Sequence, residues 1–262
     1  MDYLVIALAS FSASGLTMFS GFGLGTMLLP VFAIFLPVDL AVTSTALVHA
    51  VSNVMKVSLL GRYASGSIVV RFGLPAMGAA FVGAALLGVV ARLPSIVQYQ
   101  LFSLQAEMTP IKLALGVLIL FFAALELLPH CQRLAFHPRH LLLGGLLSGF
   151  FGGLSGHQGA LRSAFLAKTT CTPSTFVGTN AVIGFGVDLV RLGVYGAVIM
   201  IPQLGGLTAM REGGYLLVGA LAASLGIVIG KRLLHKVTMR RIQYLTGIFL
   251  CGIGLLLGAG IL

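Results

Sequence analysis

The sequence predicts an all-α polytopic membrane protein of about eight transmembrane helices. They form two homologous four-helix repeats, the first helix of each being broken or re-entrant. Three observations carry this reading. Of 262 residues, 58% are hydrophobic and only 8% are charged; soluble domains hold about 25% charged residues, so this chain lacks the polar groups to cover a water-facing surface. Apolar stretches near the ~20 residues that a span requires recur along the chain. Two of them carry polar residues at matching places, Asn53 and Lys56 in one, Asp188 and Arg191 in the other.

Taken in order, residues 2–20 begin the first helix, GFGLG at 21–25 interrupts it, and TMLLPVFAIFLP runs on to Pro37. This segment is too long for one plain span and too short for two. Residues 40–61 form the second span and 62–71 a polar connection. Residues 72–91, rich in glycine and alanine, form the third span. Residues 93–110 carry Gln98, Gln100, Gln105 and Glu107 and read as a connector holding a short interfacial helix. Residues 111–128 are the fourth span. The stretch 129–140, with His130, Arg133, His137, Arg139 and His140, links a first repeat (1–128) to a second (141–262).

The fifth segment, 141–168, repeats the oddity of the first: it is glycine-rich and broken around SGHQGALRS at 155–163. The sixth span covers 175–198, the seventh 215–230 and the eighth 242–262. Between the last two lies the densest basic loop, with Lys231, Arg232, Lys236, Arg240 and Arg241. A shift of 135 residues places Ser20 and Gly21 on Ser155 and Gly156, Val42 on Val177, Ala46 on Ala181, Asn53 on Asp188, Lys56 on Arg191 and Gly61 on Gly196. A single offset that matches polar residues inside apolar helices points to a duplicated four-span unit. Eight simple spans would make the repeats parallel, with both termini outside and the basic loop in the cytoplasm. True hairpins in the first and fifth segments would make them inverted, and the sequence leaves both arrangements open.

Several function classes are excluded. The net charge of +10 fits positively charged cytoplasmic loops; no basic patch is interleaved with exposed aromatics, so no nucleic acid partner is expected. Cys131, Cys171 and Cys251 are scattered and odd in number, which gives neither a disulfide framework nor metal-ligand spacing. No metal and no other cofactor is expected. The N-terminus has no basic n-region and reads as a retained span rather than a cleaved signal. There is no hydrolase elbow and no Walker sequence, so the reading is a secondary carrier or channel, not an enzyme.

The candidate site combines two helix stripes and two breaks. Thr45, His49, Asn53 and Lys56 share one helical face, and Asn180, Gly184, Asp188 and Arg191 share the equivalent one. Charged residues within a span are expensive, and they face a protein interior or a watery path. The plainer alternative is that Lys56 and Arg191 snorkel to headgroups, with Asp188 neutralising Arg191. Gly21, Gly23 and Gly25 in the first break, and Gly156 and Gly159 in the second, place flexible backbone beside a helix start, where free N–H groups suit anions. The plainer alternative there is close helix packing through small residues. His157, Gln158 and Arg162 add polar groups to the second break. Lys56, Arg162 and Arg191 outweigh Asp188, which favours an anionic cargo. Asp188, His157 and His49 are the candidates for proton coupling.

The residues SGFGLGTMLLPVFAIFLPVDLAVTSTALVHAVSN in the first half, and FFGGLSGHQGALRSAFL with TPSTFVGTNAVIGFGVDLVRL in the second, resemble the sulfite exporter TauE/SafE family of membrane permeases. The resemblance covers most of the chain. It implies a secondary transporter of small sulfur-containing anions, such as sulfite, thiosulfate, sulfoacetate or other sulfonates, in the cell membrane (the inner membrane if the source is a Gram-negative bacterium). The partners expected are a small anionic substrate and the lipid bilayer; the sequence is also compatible with a homo-oligomer. Two alternatives stay open at this point: a carrier of another small organic anion such as a carboxylate, and a membrane enzyme acting on a lipid phosphate.

Overall fold

The computed structural model describes residues 2–20, 24–101, 104–128, 135–169, 172–200, 209–233 and 239–262. It is overwhelmingly helical. Helices α1 (Asp2–Ser20) and α2 (Leu24–Phe35) are followed by α3 (Val38–Leu60), α4 (Gly66–Val90) and α5 (Pro110–Leu127). After the linker come α6 (Leu141–Ser155), α7 (Gly159–Leu166), α8 (Pro173–Tyr195), α9 (Ala209–Leu233) and α10 (Met239–Gly258). Five of the helical stretches among the described residues are long and apolar enough to cross a membrane: Val38–Tyr63, Gly66–Val90, Pro110–Leu127, Pro173–Val198 and Gly213–Gly230. This is a multi-pass membrane protein.

Local chemistry explains the boundaries. Both α5 and α8 start on a Thr-Pro pair: Thr109 accepts from the Lys112 N–H at 3.3 Å and Thr172 from the Thr175 N–H at 3.2 Å, with proline at the first helical position. The third span begins earlier than the composition suggests, at Gly66. A π-helical turn at Val69–Gly73 accommodates Pro75, which has no N–H to return to the turn before it.

The connector at 93–110 departs from expectation. It forms a two-stranded antiparallel hairpin, β1 (Val97–Leu101) with β2 (Leu104–Met108), pairing Val97 with Met108 and Leu101 with Leu104, where a short interfacial helix is expected. The physical reason is the alternation in VQYQL and LQAEM, which has the period of a strand. The hairpin holds the C-terminal end of α10: Tyr99 Oη donates to the Ala259 carbonyl, and the Glu107 N–H donates to Gly260 O at 3.0 Å.

The interrupted segments are helical hairpins. In the second half the Phe136 N–H donates to Ala164 O at 3.0 Å, and the Phe136 ring stacks on Phe165 at 4.2 Å. The end of α7 thus lies beside the linker from which α6 starts. Gly144, one turn into α6, packs on the Phe165 ring, and Ser148 Oγ donates to Gln158 O at 3.0 Å. Gly156 makes the turn possible with a φ of +83°, a left-handed conformation that costs a side-chain-bearing residue about 1–2 kcal/mol. In the first half Tyr215 joins both limbs. Its ring lies 4.8 Å from Tyr3 at the start of α1 and 6.1 Å from Phe35 at the end of α2, and its hydroxyl donates to Asp2 Oδ2 at 2.9 Å.

The major packing pairs are α1 with α9, α4 with α6, α3 with α8 and α5 with α10. Each joins the part of the chain before the linker to the part after it. Glycine permits the closest approaches: Gly145, Gly149 and Gly153 of α6 step along the backbone of Phe72, Ala76 and Ala80 of α4 at a shared spacing of four. Gly226 and Gly230 of α9 meet Phe11 and Gly15 of α1 in the same way.

Candidate functional site

Asp188 is the hub. It is fully buried on α8, and both carboxylate oxygens are engaged. Oδ2 accepts from Asn53 Nδ2 at 2.7 Å and lies 2.7 Å from His49 Nδ1, both from α3. Oδ1 accepts from Arg191 Nε at 3.0 Å and from Gln158 Nε2 at 3.4 Å. Arg191 NH2 sits 2.8 Å from the same oxygen, near enough for ionic attraction though outside hydrogen-bond geometry. The arrangement follows from sequence spacing. Residues 49 and 53 share a face of α3, residues 188 and 191 share a face of α8, and the two helices pack antiparallel at this level.

The second hairpin closes the site. Arg162 on α7 donates from Nε to Asn180 Oδ1 at 2.6 Å and from NH1 to Gln158 Oε1 at 3.0 Å. Its guanidinium lies against Gly184, where a Cβ would come 3.0 Å from NH1 and 2.8 Å from Asn53 Nδ2. Gly184 therefore leaves the space in which Arg162 and Asn53 approach each other. Arg191 NH1 donates to Gly152 O at 3.3 Å and would lie 2.7 Å from a Cβ on Gly156. Lys56 is buried on the same α3 face, within electrostatic reach of both Arg162 and Asp188.

The two breaks meet. A Cβ on Gly25 would fall 2.7 Å from Gly156 O, so the tip of one hairpin touches the tip of the other. Helices α2 and α7 both start at this junction, and their N-terminal N–H groups and dipole ends point positive charge toward it. Gly159 is the first residue of α7. Gly21 and Gly23 lie outside the described residues.

Of the expected site residues, His49, Asn53, Gln158, Asp188 and Arg191 form one hydrogen-bonded cluster, and Arg162 and Asn180 join it through Gln158. His157 goes elsewhere. Its ring stacks on Phe122 of α5 at 5.0 Å and 16°, its Nδ1 meets Ser155 Oγ at 3.0 Å, and its buried Nε2 has no hydrogen-bond partner. Thr45 is buried one turn from His49, with its hydroxyl unpartnered. Two supporting residues escaped the sequence reading. Tyr195 donates from Oη to Gly153 O in α6 and continues the Asp188–Arg191 stripe by one turn, a spacing that could have flagged it. Phe122 looks like any apolar span residue, and only the fold reveals its place under His157.

Among the described residues, the site thus brings three buried cations, Lys56, Arg162 and Arg191, near one carboxylate, with amides and hydroxyls on the same faces. Such a site can hold a small oxyanion. Neither the curated proteins nor the solved structures contain a match to this chain. The family model described as Sulfite exporter TauE/SafE matches residues 6–257, and the chain belongs to that family of membrane transporters.

Proposed function

We propose that this protein is a secondary transporter of small sulfur-containing anions, such as sulfite, thiosulfate, sulfoacetate or other sulfonates, and that it binds them at the junction of the two hairpin tips. The observation that carries this reading is the meeting of Gly25 and Gly156 beside Arg191, with Arg162 bound to Gln158 of the same hairpin and Lys56 buried on the α3 face that carries Asn53. Two helix N-termini and three cations converge there against one acid, Asp188. Backbone N–H groups at interrupted helices and a cationic interior favour anions. Arg162 offers the oxygens of the cargo its fork, Lys56 a point charge, and Asn53, Thr45 and Asn180 polar groups.

The proposed architecture is a pair of inverted repeats, residues 1–128 and 141–262, joined by 129–140. Element boundaries support the duplication: α3 spans Val38–Leu60 and α8 Pro173–Tyr195, each end displaced by 135. The first limbs of the hairpins end at Ser20 and Ser155, and the second limbs start at Leu24 and Gly159, by the same displacement. Each hairpin returns to the face it entered, so each repeat has three complete crossings, α3 to α5 and α8 to α10. An odd number inverts the second repeat. By their order in the sequence, this architecture assigns ten of the 16 Lys and Arg to the α3–α4, linker, α7–α8 and α9–α10 connections or the helix ends beside them, and only Arg92, Lys112 and Arg211 to the connections on the face of the termini. The positive-inside rule then puts the linker in the cytoplasm and both termini outside the cell membrane. Rocking of one repeat against the other would expose the hairpin junction to each side in turn.

The test is a panel of radiolabelled sulfite, thiosulfate, sulfoacetate and acetate supplied to proteoliposomes. The reading expects saturable uptake of at least one sulfur oxyanion and competition among them. Uptake of acetate alone, or of none of the four, would refute it.

A further inference from the structure

His157 lies at the second hairpin tip, directly after Gly156, and is 1% exposed. Its neighbours fix where its ring hydrogen sits. Ser155 Oγ donates to Phe151 O at 3.1 Å, which uses the one hydrogen that a hydroxyl has. The 3.0 Å contact between Ser155 Oγ and His157 Nδ1 is therefore donated by the ring. A neutral imidazole with its hydrogen on Nδ1 carries a bare lone pair on Nε2. That nitrogen is buried and has no hydrogen-bond partner among the described residues. Such an orphan is a base held ready in the interior.

Two neighbours set the terms on which Nε2 can take a proton. Phe122 of α5 lies flat against the ring, with centroids 5.0 Å apart and 16° between the planes; its face attracts an imidazolium more than an imidazole. Arg191 of α8 opposes the proton. Its NH1 donates to Gly152 O at 3.3 Å, would lie 2.7 Å from a Cβ on Gly156, and is within electrostatic reach of His157. An anion at the junction of the tips offsets that opposition and favours the charged ring. Asp188 is less suited to the role. Its oxygens already receive Asn53, Gln158 and Arg191, and protonation would leave the buried Arg191 without its counter-charge. The elements packed on this hairpin bring Asp188, Arg191 and Tyr195 of α8, Arg162 of α7, Lys112 and Glu126 of α5, and Arg71 of α4, with Arg139 and His140 at the start of α6.

We propose that His157 takes up one proton at Nε2 together with the anion, and that this pairing couples a proton gradient to transport. It rests on the transport reading above. The proton comes from the aqueous phase to which the junction is open and adds to the Nε2 lone pair; the Nδ1 hydrogen stays on its bond to Ser155. On the other side the anion leaves, the charge of Arg191 again opposes the imidazolium, and Nε2 releases the proton to water. No bond to the cargo forms or breaks. The anion then binds more tightly as pH falls, because proton and anion favour each other by the same factor.

Two measurements on the full-length protein decide this. Thiosulfate and sulfoacetate keep their charge over about pH 5–8, the range in which histidine titrates, so a change in their affinity reports the protein. Wild-type affinity should rise toward about tenfold for each unit of falling pH, and in His157→Gln it should change less than about twofold over the whole range. Wild-type affinity that is flat with pH overturns the proposal, as does a folded, monodisperse His157→Gln variant whose affinity still rises as the wild type's does. Binding of neither anion by the wild type would instead count against the transport reading. The second measurement needs no cargo. In NMR spectra of protein labelled with heavy nitrogen at histidine, the signals that His157→Gln removes should be those of a neutral ring with its hydrogen on Nδ1. A ring with its hydrogen on Nε2 overturns the proposal.

Discussion

The two halves bring different chemistry to one junction. Before the linker, α3 supplies His49, Asn53 and Lys56, and the first hairpin supplies Gly25. After the linker, α8 supplies Asp188 and Arg191, and the second hairpin adds Gln158 and Arg162. Positions 53 and 188, displaced by 135, hold an amide and a carboxylate that hydrogen-bond to each other at 2.7 Å. Duplication of a unit with identical residues would have set two carboxylates, or two amides, face to face. In the proposed duplication, Asn at one position and Asp at the other make the contact attractive and leave, among the described residues, a single acid among the cations. The difference between the halves, as much as their likeness, shapes the site.

That contrast can be broken in order of severity. Asp188→Ala removes the counter-charge of a fully buried arginine, and breaking a buried pair in this way costs about 3–5 kcal/mol. Asn53→Ala, at the equivalent position, removes neutral hydrogen bonds and should cost about 1–3 kcal/mol. Denaturant unfolding in detergent measures both, and equal losses would mean that the halves are equivalent after all. Next, Asn53→Asp places a second carboxylate against Asp188, and Asp188→Asn removes the only acid of the cluster among the described residues; both should impair sulfite uptake. The double variant moves the acid to the first half, three residues before Lys56, and should exceed either single variant by about tenfold. Uptake in the double variant no better than in the worse single variant would deny that the positions are interchangeable.

The hairpin tips give a smaller effect. Gly156→Ala forces a left-handed residue and brings its methyl to 2.7 Å from Arg191 NH1, so a loss of about 1–2 kcal/mol with impaired uptake is expected. Gly25→Ala crowds Gly156 O and should impair uptake with a similar loss of stability. Gly193→Ala, which meets nothing within 4 Å in a regular helix, should be neutral or gain up to about 1 kcal/mol. Arg162→Lys acts on binding rather than on stability. It keeps the charge and loses the fork to Asn180 and Gln158, raising KM for sulfite about tenfold with little change in unfolding midpoint.

Much of the site was legible in the sequence because helical spacing is a local property. The face shared by His49, Asn53 and Lys56, and the face with Asp188 and Arg191, follow from 3.6 residues per turn, and the common displacement is the ground for proposing them as counterparts. The breaks were legible from glycine and length. Whether the chain turns back after a break was not: that depends on Phe136 stacking on Phe165 and on Tyr215 joining Tyr3 to Phe35, contacts between residues remote in sequence. The fate of His157 was equally hidden. Two residues past the end of α6 it could face either wall, and Phe122 decides. The pairing of Val97–Leu101 with Leu104–Met108 is written in the alternation of its residues, whereas its glutamines suit an interfacial helix equally well.

One comparison tests the central claim, that a single anion site is shared between the halves. Lys56→Gln removes a buried cation of the first half and Arg162→Gln one of the second. Sulfite uptake by purified, folded variants in proteoliposomes should fall at least about tenfold in each. Wild-type uptake in Lys56→Gln alongside abolished uptake in Arg162→Gln would place the site in one half and contradict the account.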